Sequence, residues 1–418
     1  MRQTKFYCPF LKKGNVRKGC EMSKSEDWHR DTALIRSGIN RTGYQETSEA
    51  LFMTSGYVYE TAEQAAAAFR GETGNFVYSR YGNPTLLALE QRLAKLEGAE
   101  ACRVCSTGMA AIFASMACQL SAGDRVVASR ALFGACHAIL TKILPRWGVE
   151  VELLDGRDLN AWKEALAQPA KLVFFETPSN PVLHLVDIEA VSALAHAAGA
   201  KVIVDNVFAT PLYQSPLTLG ADIVTYSTTK HIDGHGRLLG GAVLGKTAFI
   251  EDVFVPFYRQ TGAAMSAFNA WVMLKSLETL ALRVEMQTKT AKQLTENIKH
   301  HPAVLSLSYP GDRSHPQYEL ASRQMSGSST LLAFEVKGGR NGAFKFLNAL
   351  KLIDISNNLG DSKSLACHPS STTHMNLSED DRQMLEINEG HIRLSVGLEH
   401  ADDLTADIQQ ALDVCRGY

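Results

Sequence analysis

A lysine near the middle of the chain stands among residues that suit the chemistry of an aldehyde. Lys230 follows Ser227 and Thr229 in the segment Ser-Thr-Thr-Lys. A lysine amine can form a Schiff base with an aldehyde, and the two hydroxyl groups can hold a phosphate. Gly108 and Met109 are predicted to open a helix, where the backbone N–H groups favour an anion. Together these residue types predict a site for a phosphorylated aldehyde.

Asp205 adds a carboxylate at the end of an apolar run that begins at Lys201. A buried carboxylate can keep a pyridine nitrogen protonated, and the protonated ring of pyridoxal phosphate withdraws electrons from a bound substrate. Singly, each feature has an ordinary alternative, because strand-end aspartates often form turns and Ser-x-Thr-Lys is often a solvated turn. Their joint order along the chain is more specific, and it favours pyridoxal 5'-phosphate bound at Lys230.

Short apolar strands separated by helices are expected to position these residues. The predicted strands span 125–129, 171–176, 201–205, 222–226 and 241–245. One predicted helix spans 61–69. Three others begin at 85, near 108 and directly after an N-cap at 187. This alternation indicates a mostly parallel sheet with helices on both faces, where ligands bind beyond the carboxyl ends of the strands. A long helical run, 270–299, then leads into a smaller α+β unit with strands near 330–336 and 391–395 and helices near 341–350 and 401–415.

The composition argues against several classes of protein. The chain has 418 residues, of which 45% are apolar, so it can bury the cores of two domains. Its net charge of −2 gives no bulk field that would attract nucleic acid or a membrane. No stretch approaches the roughly 20 apolar residues that cross a bilayer, and the N-terminus lacks the apolar core of a secretory signal. The scattered cysteines suit a cytoplasmic protein with free thiols.

Cysteines and histidines that could suggest a metal or a redox centre lack the spacing for one. Cys102 and Cys105 form a CxxC pair, but zinc would need a second pair and a redox motif would need a thioredoxin-like context. We therefore expect small residues that lead into a glycine turn at this point. Four histidines are predicted to make structural hydrogen bonds near the site, and no metal is expected; they are His231, His235, His368 and His374.

Several motifs give most of the chain a resemblance to one family. They are the segments 78–85 (YSRYGNPT), 106–109 (STGM), 176–181 (ETPSNP), 204–206 (VDN), 226–235 (YSTTKHIDGH), 367–369 (CHP), 373–374 (TH) and 392–398 (IRLSVGL). From about Thr32 to Gly417 the chain resembles the Cys/Met-metabolism family of pyridoxal-phosphate enzymes. The resemblance implies an α/β, aspartate-aminotransferase-like (type I) fold. A mostly parallel sheet would form the large domain, and a smaller α+β domain would follow at the C-terminus.

The expected organisation has four parts. Residues 1–21 form a leader that is predicted to be disordered, and residues 22–82 form an arm that contacts the neighbouring subunit. Residues 83–275 form the cofactor-binding domain, and residues 276–418 form the C-terminal domain.

The resemblance also implies a role for each residue that matches a motif. Lys230 would carry the cofactor and later shuttle protons. Asp205 would pair the pyridine nitrogen, and Asn180 would lie beside the phenolic oxygen of the ring. Phosphate binding would fall to Gly108, Met109, Ser227 and Thr229. Arg393 would clamp the α-carboxylate of the substrate, for which its planar fork is well suited.

Tyr78 and Arg80 are expected to act across a subunit interface. The resemblance implies that they reach the phosphate of the neighbouring subunit, so that a monomer has an incomplete site. This implies a homo-oligomer, with a dimer of active dimers as the family's usual assembly. The alternative is that Arg80 braces the arm within its own subunit.

Three residues depart from the family's usual pattern. Phe133 stands where a tyrosine usually stacks on the ring, so stacking survives but any acid–base role of that hydroxyl is lost. His231 and Asn358, the latter in the substrate pocket, also differ from most members. With the run that follows His231, these residues resemble the branch that joins sulfide to O-succinylhomoserine. That reaction is a γ-replacement, which releases succinate and forms homocysteine for methionine biosynthesis.

Other reactions remain open on the sequence alone. Within the family, the alternatives are cystathionine formation from cysteine, use of an O-acetyl donor in place of the O-succinyl donor, and elimination of the γ-substituent. Outside catalysis, a ligand-binding protein on the same fold is a remote alternative, because a fold does not fix a function.

Overall fold

The computed structural model describes residues 28–417, which are built on two β-sheets. The strands are β1 (Ala101–Cys105), β2 (Arg125–Ser129), β3 (Glu150–Leu154), β4 (Leu172–Glu176), β5 (Lys201–Asp205), β6 (Ile223–Tyr226), β7 (Gly241–Gly245), β8 (Val304–Ser308), β9 (Leu331–Val336), β10 (Asp354–Ile355), β11 (Leu365–Cys367) and β12 (His391–Ser395). The predicted leader and the first residues of the predicted arm lie outside the described residues.

Helices cover these sheets. They are α1 (Arg30–Arg36), α2 (Ala62–Phe69), α3 (Pro84–Glu97), α4 (Gly108–Ala117), α5 (Gly134–Ala138), α6 (Leu159–Ala165), α7 (Ile188–Ala197), α8 (Thr210–Tyr213), α9 (Thr247–Phe249), α10 (Val255–Thr261), α11 (Ala267–Leu277), α12 (Leu280–Ile298), α13 (Tyr318–Gln324), α14 (Gly339–Ala349), α15 (Glu379–Met384) and α16 (Ala401–Asp413). Between residues 28 and 417, no helix combines the length and the apolar character that a membrane crossing needs.

The first sheet has seven strands in the order β1-β7-β6-β5-β4-β2-β3. Only β7 runs against its neighbours, so the other six strands end at the same edge. The five residues of β4 are all buried, which is the continuous apolar pattern of a strand covered on both faces. The predicted mostly parallel sheet is therefore confirmed, and its carboxyl edge is where a ligand is expected.

The second sheet has five strands in the order β10-β11-β12-β9-β8, and only β10 and β11 pair in parallel. Its helices α12, α14 and α16 bury an apolar cluster that includes Ile298, Phe346 and Leu412. This α+β unit follows the first sheet in the chain, as the resemblance implied. The three boundaries between the four parts proposed from the sequence remain a prediction.

The strand that holds the CxxC pair was not predicted. Cys102 and Cys105 lie within β1, which leads towards Gly108 at the start of α4, and both are buried. Their side chains belong to different apolar clusters, because residues three apart on a strand point to opposite faces. Arg103 between them obscured the strand pattern; it forms a salt bridge with Glu90, with an N–O distance of 3.2 Å.

Two further expectations needed correction. The strand β3 was missed because it lies at the edge of the first sheet and carries two exposed glutamates, Glu150 and Glu152. The single helical run 270–299 is in fact two helices, α11 and α12, with a break at Glu278 and Thr279. The break lets α11 pack against α3 while α12 packs against α16 and β9.

Candidate active site

Lys230 lies in the tight turn that follows β6, and its side chain lines a cavity at the carboxyl edge of the first sheet. The turn is held by Thr229, whose hydroxyl accepts a hydrogen bond from the Gly240 N–H at 3.0 Å. The Lys230 Nζ donates to Asn358 Oδ1 at 2.6 Å. Burial lowers the pKa of Lys230 to about 8, and the charge of Arg393 acts in the same direction. The amine is thus partly neutral near pH 7.

Two buried carboxyl groups end adjacent strands beside this amine. Glu176 ends β4 and Asp205 ends β5, and the two residues are paired in register. Burial raises the pKa of Asp205 to about 7, although the Val207 N–H and the charge of Lys230 act against this. Burial and the charge of Asp205 raise the pKa of Glu176 well above its usual range. The pair therefore holds at least one proton near neutral pH.

The start of α4 lies directly against the turn that carries Ser227. A Cβ atom on Gly108 would lie 2.6 Å from the Cβ of Ser227, so only glycine permits this approach. Thr107 caps the helix, because its hydroxyl accepts from the Ala110 N–H at 3.0 Å. The first N–H groups of a helix lack intrahelical partners and favour an anion. Together with the Ser227 and Thr229 hydroxyls, this helix start forms a phosphate-sized set of donors.

The second sheet supplies the opposite wall through Arg393 on β12. This side chain is almost fully buried, and its Nη1 donates to Asn180 Oδ1 at 2.9 Å. Its Nη2 donates to the backbone oxygen of Asn357 at 2.8 Å. Its Nε has no hydrogen-bond partner among the described residues, which leaves a buried donor for a ligand. Arg393 thus joins β12 to the loop after β4 while keeping capacity to bind.

The cavity between the two sheets has a volume of about 230 Å³. It is lined by nine of the predicted site residues, namely Gly108, Met109, Phe133, Asn180, Asp205, Ser227, Thr229, Lys230 and Arg393. Asn358 does not line it but contacts Lys230. The site prediction omitted Glu176, Asn357 and several apolar lining residues. Glu176 carried a usable signal, since it ends a buried strand as Asp205 does.

Tyr78 and Arg80 do not reach this cavity within one chain. Arg80 donates to the backbone oxygen of Arg259, and its guanidinium lies over the rings of Tyr81 and Tyr78 at 4.7 and 5.5 Å. Tyr78 is 43% exposed. The bracing contact within the chain is therefore present, and the predicted role across an interface remains a prediction.

Comparison with known proteins decides the family. Residues 31–413 match the family model described as "Cys/Met metabolism PLP-dependent enzyme". The chain belongs to this family. The pyridoxal-phosphate dependence and the type I fold predicted from the sequence are thereby confirmed.

Individual members of the family show how similar the chain is to them. O-succinylhomoserine sulfhydrylase from Mycobacterium tuberculosis is 52% identical over 91% of this chain and 95% of its own. The enzyme of the same name from Pseudomonas aeruginosa is 46% identical, covering 91% and 94%. L-methionine gamma-lyase from Treponema denticola is 41% identical, covering 91% and 95%.

A solved structure agrees with these relatives. It is a putative O-acetylhomoserine (thiol)-lyase from Campylobacter jejuni that contains N'-pyridoxyl-lysine-5'-monophosphate. It superposes with a TM-score of 0.89 at 32% identity, and the match covers 92% of this chain and all of the other. A pyridoxal–lysine linkage therefore exists on the same fold.

The described side chains fit pyridoxal phosphate. A partly neutral amine, Lys230, and a buried carboxyl, Asp205, face one cavity, and neutral hydrogen-bond donors at the start of α4 lie beside two hydroxyl groups. These groups match the aldehyde, the ring nitrogen and the phosphate of the cofactor in chemical type. Phe133 lines the same cavity and can contribute an aromatic face.

Proposed function

We propose that this enzyme is an O-succinylhomoserine sulfhydrylase, which replaces the succinate group of O-succinylhomoserine by sulfide and forms homocysteine. The observation that carries the proposal is the gradient of identity among its relatives. The two O-succinylhomoserine sulfhydrylases named above are 52% and 46% identical to the chain. The L-methionine gamma-lyases are 38–41% identical. Phe133 and Asn358, whose residue types resemble the same branch, add support.

Lys230 is proposed as the cofactor lysine and the main proton carrier. Bound pyridoxal phosphate supplies an aldehyde that accepts the substrate amine and a protonated ring that withdraws electrons. The Lys230 Nζ, with a pKa near 8, can accept a proton and return it near neutral pH. Phe133 has no hydroxyl group to share this work. Proton transfers on the substrate therefore fall to Lys230.

The remaining predicted residues are proposed to bind rather than to react. Gly108, Met109, Ser227 and Thr229 would hold the phosphate, and Asp205 would pair the ring nitrogen. Asn180 would lie beside the phenolic oxygen of the ring. Arg393 would bind the substrate carboxylate, and its buried Nε without a partner supports this assignment.

We further propose that the enzyme is a cytoplasmic homo-oligomer whose active unit is a dimer. The Tyr78 ring is exposed and does not line the chain's own cavity, which supports a site completed by the arm of a second subunit. The free thiols among the described residues support a cytoplasmic location. A net charge of −2 supports small molecules rather than nucleic acid or membranes as partners.

The substrate assignment is tested by a steady-state panel with the holoenzyme. O-succinyl- and O-acetylhomoserine are each combined with sulfide and with cysteine, and homocysteine, cystathionine and 2-oxobutanoate are measured. We expect the highest kcat/KM for the O-succinyl donor with sulfide. Cystathionine or 2-oxobutanoate as the main product, or a preference for the O-acetyl donor, would reject the assignment in favour of another family member.

A further inference from the structure

Glu176 is a buried carboxyl group for which the chemistry above gives no role. It lines the cofactor cavity and is 6% exposed, and Asp205 beside it is 8% exposed. The two residues pair in register on adjacent parallel strands, so their side chains leave the sheet on the same face. A carboxylate oxygen of Glu176, a carboxylate oxygen of Asp205 and the Sγ of Cys136 all lie within 4.8 Å of one another.

The surroundings of this pair favour a proton on Glu176 rather than on Asp205. Lys230 is the positive group that acts on Asp205. The main charge acting on Glu176 is the repulsive one of Asp205, and its donors are neutral, namely the N–H groups of Phe133 and Asn180 and the Cys136 thiol. Two ionised carboxylates this close in a buried site are unfavourable, so one stays neutral. Asp205, on which the charge of Lys230 acts, is the better anion of the two, so Glu176 keeps the proton.

A hydrogen bond connects Glu176 to the segment that begins at Phe133. The Phe133 N–H donates to Glu176 Oε1 at 2.7 Å. Phe133 is the residue assigned to the face of the ring, and Asp205 is the residue assigned to the ring nitrogen. Glu176 therefore contacts the segment that carries Phe133 and lies beside Asp205.

We propose that Glu176 is a positioning residue, a neutral carboxylic acid that holds Asp205 as the anion and fixes the Phe133 segment against the ring. The pair then carries one negative charge, which balances one protonated ring nitrogen. This inference deepens the proposed function, since it rests on the cofactor roles assigned to Asp205 and Phe133. It does not depend on the identity of the acyl donor or the thiol.

The test compares Glu176→Gln with Glu176→Leu. Glutamine is neutral, accepts from the Phe133 N–H and can donate towards Asp205, whereas leucine does neither. We expect Glu176→Leu to raise the Kd of the apoenzyme for pyridoxal phosphate by about tenfold or more. Glu176→Gln should raise it by about threefold or less. The Kd values are measured by fluorescence titration, without substrate.

Infrared spectroscopy of the apoenzyme reads the proton directly and does not require the leucine variant to fold. At neutral pH the wild-type protein should show a protonated-carboxyl band that Glu176→Gln lacks. Glu97 provides a matched control, because burial raises its pKa to about 8 and it does not line the cavity. Glu97→Gln should remove a different band and leave the cofactor Kd unchanged.

Two results would overturn the proposal. One is a wild-type protein without the band assigned to Glu176 at neutral pH, because Glu176 would then be ionised. The other is a Glu176→Gln variant that binds the cofactor as weakly as Glu176→Leu. If the substrate panel fails but the Kd values follow the expected pattern, only the assignment of the acyl donor and the thiol is rejected. A wild-type protein that binds no pyridoxal phosphate would reject the proposed function itself.

Discussion

Burial and the charge of Arg393 set the pKa of Lys230 near 8, against the opposing charge of Asp205. Only the neutral amine can attack an aldehyde. The balance of these three side chains therefore decides how fast the empty enzyme takes up its cofactor at a given pH.

We predict that the rate of cofactor uptake by the apoenzyme rises about tenfold per pH unit below pH 8 and levels off above it. The rate is followed by stopped-flow absorbance. Asp205→Asn should move the midpoint to lower pH, and Arg393→Met should move it to higher pH. Lys292→Ala, at an exposed position on α12, should leave it in place. A wild-type midpoint near 10.5, the ordinary lysine value, would contradict the prediction.

At the scale of elements, the contact between α4 and the turn after β6 brings the helix start to the proposed phosphate donors. The Cβ of an alanine at Gly108 would lie 2.9 Å from the backbone Cα of Ser227. Because backbone cannot rotate away as a flexible side chain can, the helix start and the turn would have to separate. The donors on the two elements would then no longer converge.

We predict that Gly108→Ala raises the Kd for pyridoxal phosphate by about tenfold or more. The secondary structure of the apoenzyme, measured by far-ultraviolet circular dichroism, should stay close to that of the wild type. Gly417→Ala is the matched control, since a Cβ at Gly417 meets no atom of residues 28–417 within 4 Å. An unchanged Kd in Gly108→Ala would show that the helix start does not hold the phosphate.

The elements that the sequence predicted well share one physical property. β2, β5 and β7 have the bounds predicted for them, because strands buried on both faces of a sheet show as continuous apolar runs. The helix predicted to begin at 85 is α3, and it ends at Gly98, which adopts the left-handed conformation with φ 77°. β1 and β3 were missed because Arg103, Glu150 and Glu152 interrupt their apolar patterns.

The candidate site was predictable to the extent that its residues follow strand ends. Lys230 and Asp205 were found because topology alone brings the ends of β5 and β6 together. The hydrogen bond from Lys230 to Asn358 joins residues 128 positions apart, and the bond from Arg393 to Asn180 joins residues 213 apart. Such contacts depend on how the second sheet packs on the first, which no local pattern encodes.

At the scale of the whole molecule, each active site is proposed to be completed by the arm of a second subunit. We predict that co-expression of Lys230→Ala with Arg80→Leu recovers about a quarter of wild-type activity, although each variant alone has little. With random pairing, half of the dimers are mixed, and one of their two sites is intact. Activity is measured per mole of dimer on the unfractionated mixture, purified through one tag that both variants carry.

Asp205→Asn gives the control for this experiment. Asp205 and Lys230 line the same cavity of one chain, so pairing Asp205→Asn with Lys230→Ala leaves no intact site. That mixture should stay inactive. Recovery there, or none with Arg80→Leu, would contradict the shared site and favour the contact of Arg80 with Arg259 as its role.

The stability of the whole protein should carry the signature of buried histidines. His391 on β12 is buried, and neither ring nitrogen has a hydrogen-bond partner among the described residues. Burial and the charges of His184 and His368 lower its pKa to about 4, against the charge of Glu386. The folded state thus keeps His391 neutral, while the unfolded state protonates it near pH 6.5. Its contribution is complete above pH 6.5 and is lost as the pH falls towards 4.

We predict that His391→Phe removes this loss. Buried carboxyl groups with raised pKa values act in the opposite direction over the same pH range, so only the difference between variant and wild type is informative. Relative to wild type, the free energy of unfolding of His391→Phe should rise by up to about 1.4 kcal/mol for each pH unit as the pH falls from 6.5 to 4. It is measured by urea unfolding at one protein concentration. A pH-independent difference would contradict the prediction.

The hydrogen bond from Arg393 to Asn180 has a consequence for the optical properties of the holoenzyme. The guanidinium that is proposed to receive the substrate carboxylate already holds the amide that is proposed to touch the ring oxygen. An incoming carboxylate at the unpaired Nε neutralises part of the charge of this guanidinium, so the contact of the amide with the ring oxygen changes as the ligand arrives. We therefore expect a simple carboxylic acid with no amino group to shift the visible absorbance of the holoenzyme. Its binding would alter the surroundings of the ring oxygen, although such an acid cannot react with the cofactor.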